Sequence, residues 1–184
     1  MLVNEQILIK EIKQGRSNAQ KTLYDTYAKR LMVISIRYVG RKDIAEDILH
    51  DSFIKIFKNI GKFNYRGEGS LRAWMDRITV NTALEWLRVQ KKTTLLDENY
   101  IPDVVDDEPS YSEVKTIPQE IILKLVGELP IGYRTIFNLF CIEGYSHREI
   151  AEELGIKEKS SSSQLLRAKR LLANKIKSHL ESYE

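Results

Sequence analysis

The sequence is poor in the features that cross-link a protein or anchor it in a membrane. It has one cysteine, Cys141, which excludes an intramolecular disulfide framework and suits a reducing compartment. No apolar run approaches the ~20 residues of a membrane-spanning helix. Charges such as Glu5 and Lys10 interrupt the apolar N-terminus, which argues against a secretory signal. We therefore expect a cytoplasmic protein without membrane insertion, in which Cys141 is a small core residue.

The sequence also has few of the patterns that carry catalysis. Its three histidines, His50, His147 and His179, are widely spaced, and it has no glycine-rich phosphate loop and no cysteine cluster. Asp47 and Asp51 share a helix face with His50, but the three form an incomplete metal site. We therefore expect no catalytic residues, no metal and no cofactor, and the sequence argues against an enzyme.

Charge is distributed unevenly along the chain. Residues 93–114 contain seven acidic residues and no lysine or arginine, although the whole chain has a net charge of +3. Removing those seven negative charges leaves +10 on the rest. A basic body interrupted by an acidic stretch indicates a polyanionic partner, with nucleic acid as the first candidate. Two prolines and the lack of any period predict an extended linker without a packed core over residues 93–117.

Helical periodicity dominates before the acidic stretch. Apolar residues recur every three or four positions along three segments, and Gly40 and Gly61 end the first two. The expected buried positions are Leu23, Tyr27, Leu31, Ile34 and Tyr38, then Ile44, Ile48, Ser52, Ile56 and Ile60, then Leu71, Trp74, Ile78, Leu84 and Leu87. A turn-rich loop at residues 65–70 precedes the third helix. Because no strand-like alternation is present, the predicted fold class is all-α.

Helical patterning resumes after the acidic stretch. A short helix is expected to begin at Pro118, and a central helix is expected over about residues 132–143. Residues 144–157 are typical of the first half of a helix-turn-helix, because Ser146 and Glu149 form a capping box and Gly155 supplies the positive φ of a tight turn.

The second helix of this motif is expected to begin around Ser160. Its expected buried residues are Leu165, Leu166, Ala168, Leu171 and Leu172. Between residues 157 and 177 there are seven lysines and arginines and one acid, which fits a recognition helix in a DNA major groove. The alternative is a structural helical hairpin with a solvated basic face.

These motifs occur together in the order and spacing of a known family. They are residues 44–57, 67–78 and 81–88 in the first half, and Leu129-Pro130, 144–156 and 163–169 in the second. The chain resembles the extracytoplasmic-function (ECF) group of sigma-70-type sigma factors over nearly everything outside the acidic stretch. The resemblance implies two small helical domains, with region 2 in residues 1–92, a flexible acidic linker in 93–117 and the region 4 helix-turn-helix in 118–184.

The resemblance implies that the partners are promoter DNA and core RNA polymerase, through the clamp helices of the beta-prime subunit and the flap of the beta subunit. The implied polymerase contacts share one helix face opposite the apolar stripe: Asp47, His50, Asp51 and Phe57. A solvated surface is the alternative for the two aspartates and for His50. The sequence leaves open whether an anti-sigma factor binds, and whether the linker mimics RNA in the polymerase exit path or is only a soluble tether.

The first domain is also expected to open and hold the −10 element, which requires aromatic and cationic support for an unstacked base. The implied contacts are Tyr65, Arg66, Trp74, Arg77, Asn81, Glu85 and Arg88. The last four follow one helix face, whereas Trp74 is either a core residue or a stacking residue, with the core favoured. Glu85 stands where the family usually has Asp or Asn, so the base preference there is open.

The second domain is expected to bind the −35 element. The implied contacts are His147, Arg148, Ser160, Ser162, Ser163, Arg167 and Lys169. Serine replaces a common cation at the tip of the recognition helix, and hydroxyls discriminate bases less well than a bidentate arginine. We therefore predict that this contact depends on phosphates and DNA shape.

Two rival classes make different predictions. A DNA-binding regulator with a similar helix-turn-helix would bind duplex sites without polymerase, and it leaves the motifs of residues 44–88 unexplained. An enzyme would need a catalytic cluster that the sequence does not contain.

Overall fold

The computed structural model describes residues 4–90, 115 and 117–182, and every regular element in these ranges is helical. The all-α class expected from the sequence is therefore confirmed. The chain divides into two compact units, Met1–Gln90 and Lys91–Glu184. Among the described helices, none is both long enough and apolar enough to span a bilayer.

The first unit is built around three long helices. Its elements are α1 (Glu5–Lys13), α2 (Ser17–Val39), α3 (Lys42–Asn59), a 3-10 turn (Ile60–Lys62) and α4 (Ser70–Gln90). Helix α2 packs against both α3 and α4, which also contact each other, while α1 packs against α2 and the 3-10 turn. The result is a three-helix bundle with one short additional helix.

Most of the apolar residues expected from the sequence form the core of this bundle, whereas four of them are only half-buried at its edge: Tyr27, Ile44, Trp74 and Ile78. Leu23, Leu31 and Tyr38 of α2 are fully buried, as are Ile48 and Ile56 of α3. Small polar residues are buried at the same level, and their hydroxyl groups donate to carbonyls one turn earlier in their own helices: Ser35 to Leu31, Ser52 to Ile48 and Thr79 to Met75. These three hydroxyl donors are therefore satisfied although they are buried. Because the side chains are also small, the helices can approach closely at these positions.

Helix α1 was not among the elements expected from the sequence. It begins after Asn4, whose side-chain oxygen accepts a hydrogen bond from the amide of Ile7 at 3.1 Å. Leu8, Ile9 and Ile12 are buried and attach this helix to the bundle. These three apolar residues near the N-terminus therefore belong to the core of the first unit.

The second unit is organised on one long C-terminal helix. Its elements are α5 (Gln119–Gly127), α6 (Ile131–Phe137), a π-helical segment (Asn138–Ile142), α7 (His147–Leu154) and α8 (Glu158–Glu181). Helix α8 contacts α5, α6 and α7, so the recognition helix of the motif also holds the unit together. One core cluster consists of Ile117, Leu125, Val126, Leu129, Leu172 and Ile176.

Ile117 is the last residue of the stretch expected to be a linker, yet it is buried in this cluster. Residues 93–114 and 116 of that stretch lie outside the described residues. Arg134 of α6 is buried as well, and its guanidinium donates to the carbonyl of Gly127 at the end of α5. Burial lowers the pKa of Arg134 to about 10. This contact satisfies a carbonyl that the end of α5 leaves without a helical partner.

Two expectations about buried residues in this unit were wrong. Cys141 is exposed, although partial desolvation still raises the pKa of its thiol. It lies in the π-helical segment, where the wider turn changes which residues face inward, and Asn138 and Leu139 are the fully buried residues there. Leu166 is 50% exposed, because α8 buries a face defined by Ser161, Leu165 and residues one or two turns further on.

Candidate functional site

The outer face of α3 combines acidic side chains with an exposed apolar one. Asp47, His50 and Asp51 are all exposed, as their spacing of three and four residues predicts. Ile54 lies one turn after His50 and Asp51 on the same side of the helix, and it is 63% exposed. Phe57 is half-buried, and its ring packs against that of Phe53 with centroids 5.8 Å apart.

Ile54 is a residue that the sequence analysis missed. Its signal was present, because it falls outside the stripe of Ile48, Ser52 and Ile56 that α3 buries. An exposed isoleucine in the middle of a polar face gives this surface an apolar centre with a charged edge. This is the composition that protein-binding surfaces commonly have.

The loop between the 3-10 turn and α4 is shaped by two glycines and by the hydroxyl of Ser70. Gly67 and Gly69 have φ of 116° and 81°, which side-chain-bearing residues rarely adopt. The hydroxyl of Ser70 donates to the carbonyl of Gly67 at 2.6 Å and accepts from the amide of Arg66 at 3.2 Å. Arg66 is exposed and Tyr65 is half-buried on this loop.

Helix α4 continues from the loop with a polar face. Arg77, Asn81, Glu85 and Arg88 are all exposed, and they follow one side of the helix over roughly 16 Å. Trp74 is half-buried, with its ring 4.8 Å from that of Phe63 between centroids. The structure therefore brings the four polar residues together and gives Trp74 a packing partner.

Glu85 has a partner that the sequence did not reveal. The amine of Lys55 on α3 lies 2.6 Å from the Glu85 carboxylate and donates to the Thr82 hydroxyl at 3.2 Å. An exposed ion pair of this kind adds little stability. It does place a cation beside the carboxylate, so the charge of Glu85 is balanced at this surface.

The helix-turn-helix of the second unit has the geometry expected from its sequence. Glu149 and Ser146 form the capping box, with the Ser146 amide 2.8 Å from the Glu149 carboxylate and the Glu149 amide 3.2 Å from the Ser146 hydroxyl. Gly155 has φ of 67° at the turn, and Ile150 is fully buried. Helix α8 begins at Glu158, two residues earlier than expected.

His147 connects the two helices of this motif. Its ring stacks on Phe140 with centroids 4.5 Å apart, and its Nδ1 lies 3.0 Å from the hydroxyl of the buried Ser161. His147 is therefore half-buried and holds the start of α8. Arg148 is exposed and pairs with Glu152 one turn later at 3.2 Å.

The serine cluster at the tip of α8 is partly committed to its own helix. The hydroxyl of Ser162 donates to the carbonyl of Lys159 at 3.0 Å, and that of Ser163 donates to the carbonyl of Ser160 at 3.1 Å. Ser162 and Ser163 are exposed and Ser160 is half-buried. These hydroxyls can still accept hydrogen bonds, but they must break a local bond to donate one.

The predicted −35 contacts do not all lie on one face of α8. Ser160 and Lys169 are nine residues apart and lie on opposite flanks of the helix. Arg167 is half-buried near the Ser160 flank, whereas Lys169 is exposed. Between the flanks lies Leu166, one turn after the exposed serines.

Comparison with known proteins identifies the family. "Sigma-70 region 2" matches residues 23–93 and "Sigma-70, region 4" matches residues 119–172. The "ECF RNA polymerase sigma-E factor" of Haemophilus influenzae is 30% identical over 186 residues, which cover 95% of this chain and 96% of that protein. The chain is a sigma factor of the sigma-70 family, in the ECF group.

Other relatives agree with this assignment. The sigma-E factors of Salmonella typhimurium LT2 and Escherichia coli K12 are each 26% identical to this sigma factor over 184 residues and 95% of both chains. The solved structure of CnrH in complex with the cytosolic domain of CnrY covers 95% of this chain and 97% of its own, with a TM-score of 0.50. At 19% identity, that structure shows a shared fold.

Membership establishes the general role of the protein. This sigma factor binds core RNA polymerase and promoter DNA, and it recognises promoters for transcription initiation. The region 2 match includes the outer face of α3, the loop and all of α4. The region 4 match begins at the start of α5, includes the helix-turn-helix and ends at Leu172 within α8.

Proposed function

We propose that the outer face of α3 is the main polymerase-binding surface and that it takes the clamp helices of the beta-prime subunit. Ile54 carries this proposal, because an exposed apolar side chain surrounded by Asp47, His50 and Asp51 offers both a buried anchor and a charged edge. The acidic edge requires a basic partner surface. Phe57, packed on Phe53, supports the end of this face.

The loop and α4 would then receive the −10 element. Tyr65, Arg66 and Trp74 offer ring and cationic surfaces for an unstacked base of the non-template strand. Arg77, Asn81, Glu85 and Arg88 would follow the strand along the helix. Arginine and asparagine side chains form paired hydrogen bonds with base edges, so base preference would arise mainly here.

The helix-turn-helix would bind the −35 element with less base selectivity. Arg148, Arg167 and Lys169 would contact phosphates, and His147 would act mainly by positioning α8. Ser160, Ser162 and Ser163 would make secondary base contacts. Leu166 joins this set as an apolar group that can contact thymine methyl groups.

The remaining assignments follow from the family. We assign residues 1–92 to polymerase and −10 binding, 93–117 to the linker, and 118–184 to −35 binding, with the flap of the beta subunit as a further contact. The protein would work in the cytoplasm as a non-catalytic factor without a cofactor. An anti-sigma factor is a proposed partner, because regulated sequestration suits a protein with two separate promoter-binding units.

Co-purification of the full chain with core RNA polymerase tests the α3 surface. The double variant Asp47→Arg, Asp51→Arg should bind the polymerase about 100-fold less tightly or worse, since like charges placed across an interface cost several kcal/mol. Circular dichroism should show an unchanged helix content. The control Asp25→Arg, Glu181→Arg makes the same change in charge at exposed positions elsewhere and should bind normally. Equal binding by wild type and the Asp47/Asp51 variant would refute this surface.

A further inference from the structure

The carboxylate of Glu5 links α1 to α2 and to the loop of residues 63–69. One oxygen of Glu5 accepts a hydrogen bond from the hydroxyl of Tyr27 on α2 at 3.0 Å, and the other accepts from the amide of Gly69 at 3.2 Å. Glu5 is half-buried in the first turn of α1. Burial and the hydrogen bond to Glu5 raise the pKa of Tyr27 to about 12.

The opposite end of α1 holds the other end of the same loop. The amine of Lys13 donates to the carbonyl of Phe63 at 2.9 Å. Glu5 and Lys13 are eight residues apart, about 12 Å along the helix axis. One rigid element therefore fixes both Phe63 and Gly69, between which lie the proposed base-contacting residues of the loop.

The anchor itself is well fixed. Leu8, Ile9 and Ile12 bury the inner face of α1, so a displacement of Glu5 or Lys13 would require this face to leave the core. The loop contains Gly67 and Gly69, where φ is positive. A glycine-containing loop has many conformations available, and two external links reduce that number.

We propose that α1 is a brace that presets the loop of residues 63–69 for an unstacked −10 base, with Glu5 and Lys13 as positioning residues. The match to region 2 begins at Leu23, so α1 lies outside it. The brace rests on the proposed role of this loop in −10 binding. It assigns α1 an indirect part in promoter opening, through the loop that it positions.

The test uses the full chain assembled with core RNA polymerase and a single-stranded −10 oligonucleotide selected with the wild-type complex. Glu5→Ala and Lys13→Ala should each weaken oligonucleotide binding by about tenfold, the effect of losing a charge-assisted hydrogen bond that orders the site. Glu11→Ala and Lys10→Ala are matched controls on the same helix. Glu11 pairs with Arg16 and Lys10 is exposed, and both variants should bind normally.

Three further readouts separate positioning from a general loss of structure. Core polymerase affinity and the melting temperature should change little in Glu5→Ala, while amide hydrogen exchange in residues 64–70 should accelerate. Tyr27→Phe removes only a hydroxyl and should give a smaller defect of the same kind. Glu5→Gln keeps an acceptor oxygen and should recover part of the binding.

The possible failures are distinguishable. If wild-type complex binds single-stranded −10 DNA and Glu5→Ala binds it equally well, the brace is wrong and the proposed function stands. If Glu5→Ala loses polymerase affinity and oligonucleotide affinity to the same degree, α1 is only a structural support, which also refutes the brace. If the wild-type complex binds no single-stranded DNA, both proposals fall together.

Discussion

The two candidate DNA surfaces, α4 of the first unit and α8 of the second, differ in the polar groups they present. On α4, Arg77 and Asn81 are exposed; the arginine can donate two parallel hydrogen bonds to a base edge, and the asparagine can donate one and accept one. On α8, the exposed hydroxyls of Ser162 and Ser163 already donate to carbonyls of their own helix. The comparison indicates that base discrimination is concentrated in the first unit.

The surfaces differ in their apolar residues as well. Ile54 of α3 is exposed next to acidic side chains, which suits a protein partner. Leu166 of α8 is exposed between serines and basic residues, which suits DNA. The same kind of side chain therefore has opposite electrostatic surroundings in the two units, and the surroundings indicate the partner.

The largest effect is expected from placing a charge at the centre of the α3 face. Ile54→Asp should weaken core polymerase binding by about 30-fold or more, since a central buried anchor contributes about 2 kcal/mol or more. Leu166→Asp is the matched control in the second unit and should leave polymerase affinity within about twofold. Fluorescence titration with labelled polymerase measures both. Equal losses of polymerase affinity in the two variants would contradict the assignment of this anchor to the first unit alone.

The next effect concerns the −10 strand. Arg77→Ala and Asn81→Ala should each weaken binding of single-stranded −10 DNA by about 5- to 100-fold and relax base preference, because a paired base contact is worth ~1–3 kcal/mol. Competition between oligonucleotides that differ at one base measures the preference. Asn18→Ala, at an exposed asparagine on α2, is the control. Retained base preference in both variants would show that Arg77 and Asn81 do not determine −10 specificity.

A smaller and more uniform effect is expected from the basic flank of α8. Lys169→Ala should weaken binding to all −35 sequences alike, and the slope of log K against log salt should fall by about one, as for one lost phosphate contact. Binding of duplex −35 DNA to the polymerase complex at several salt concentrations measures this. Lys21→Ala on α2 is a control of equal charge. A loss that depends on the base sequence would instead make Lys169 a base-reading residue.

The smallest effect is expected at the serines. Ser162→Ala and Ser163→Ala should each change −35 affinity by less than about twofold, because each hydroxyl is already bonded within its helix. Ser162→Arg should add base discrimination, since arginine can make a bidentate contact with guanine. Duplex binding across single-base variants measures both. A tenfold loss in either alanine variant would show that the hydroxyls reorient to bind bases.

Local pattern predicted most of the fold. The capping box at Ser146 and the turn at Gly155 depend on residues within a few positions of each other, and both were confirmed. The stripes of α2 and α3 are equally local, and they are buried except at Tyr27 and Ile44, which are half-buried. Leu166 was predicted to be buried because apolar residues of a helix usually face the core. However, α8 has more apolar positions than its buried face can hold. Ile54 was missed although it falls outside the stripe that α3 buries.

Contacts between distant residues were beyond the sequence. The Ser161 hydroxyl meets His147 across 14 positions, and Glu5 meets Gly69 across 64. No spacing rule connects such pairs, because they depend on how helices pack. Of the candidate site, the faces of α3 and α4 were predictable from periodicity, whereas the Lys55–Glu85 pair and the links of α1 were not.

One measurement tests the central claim most directly: run-off transcription by core RNA polymerase and this sigma factor on a promoter library randomised at both elements. The account predicts transcripts that depend on the sigma factor, with stronger base preference at −10 than at −35 and a −35 contribution that declines as salt increases. Strong single-base preferences at −35 that persist at high salt would contradict the contrast between α4 and α8. An absence of sigma-dependent transcripts from every template would contradict the role of the protein itself.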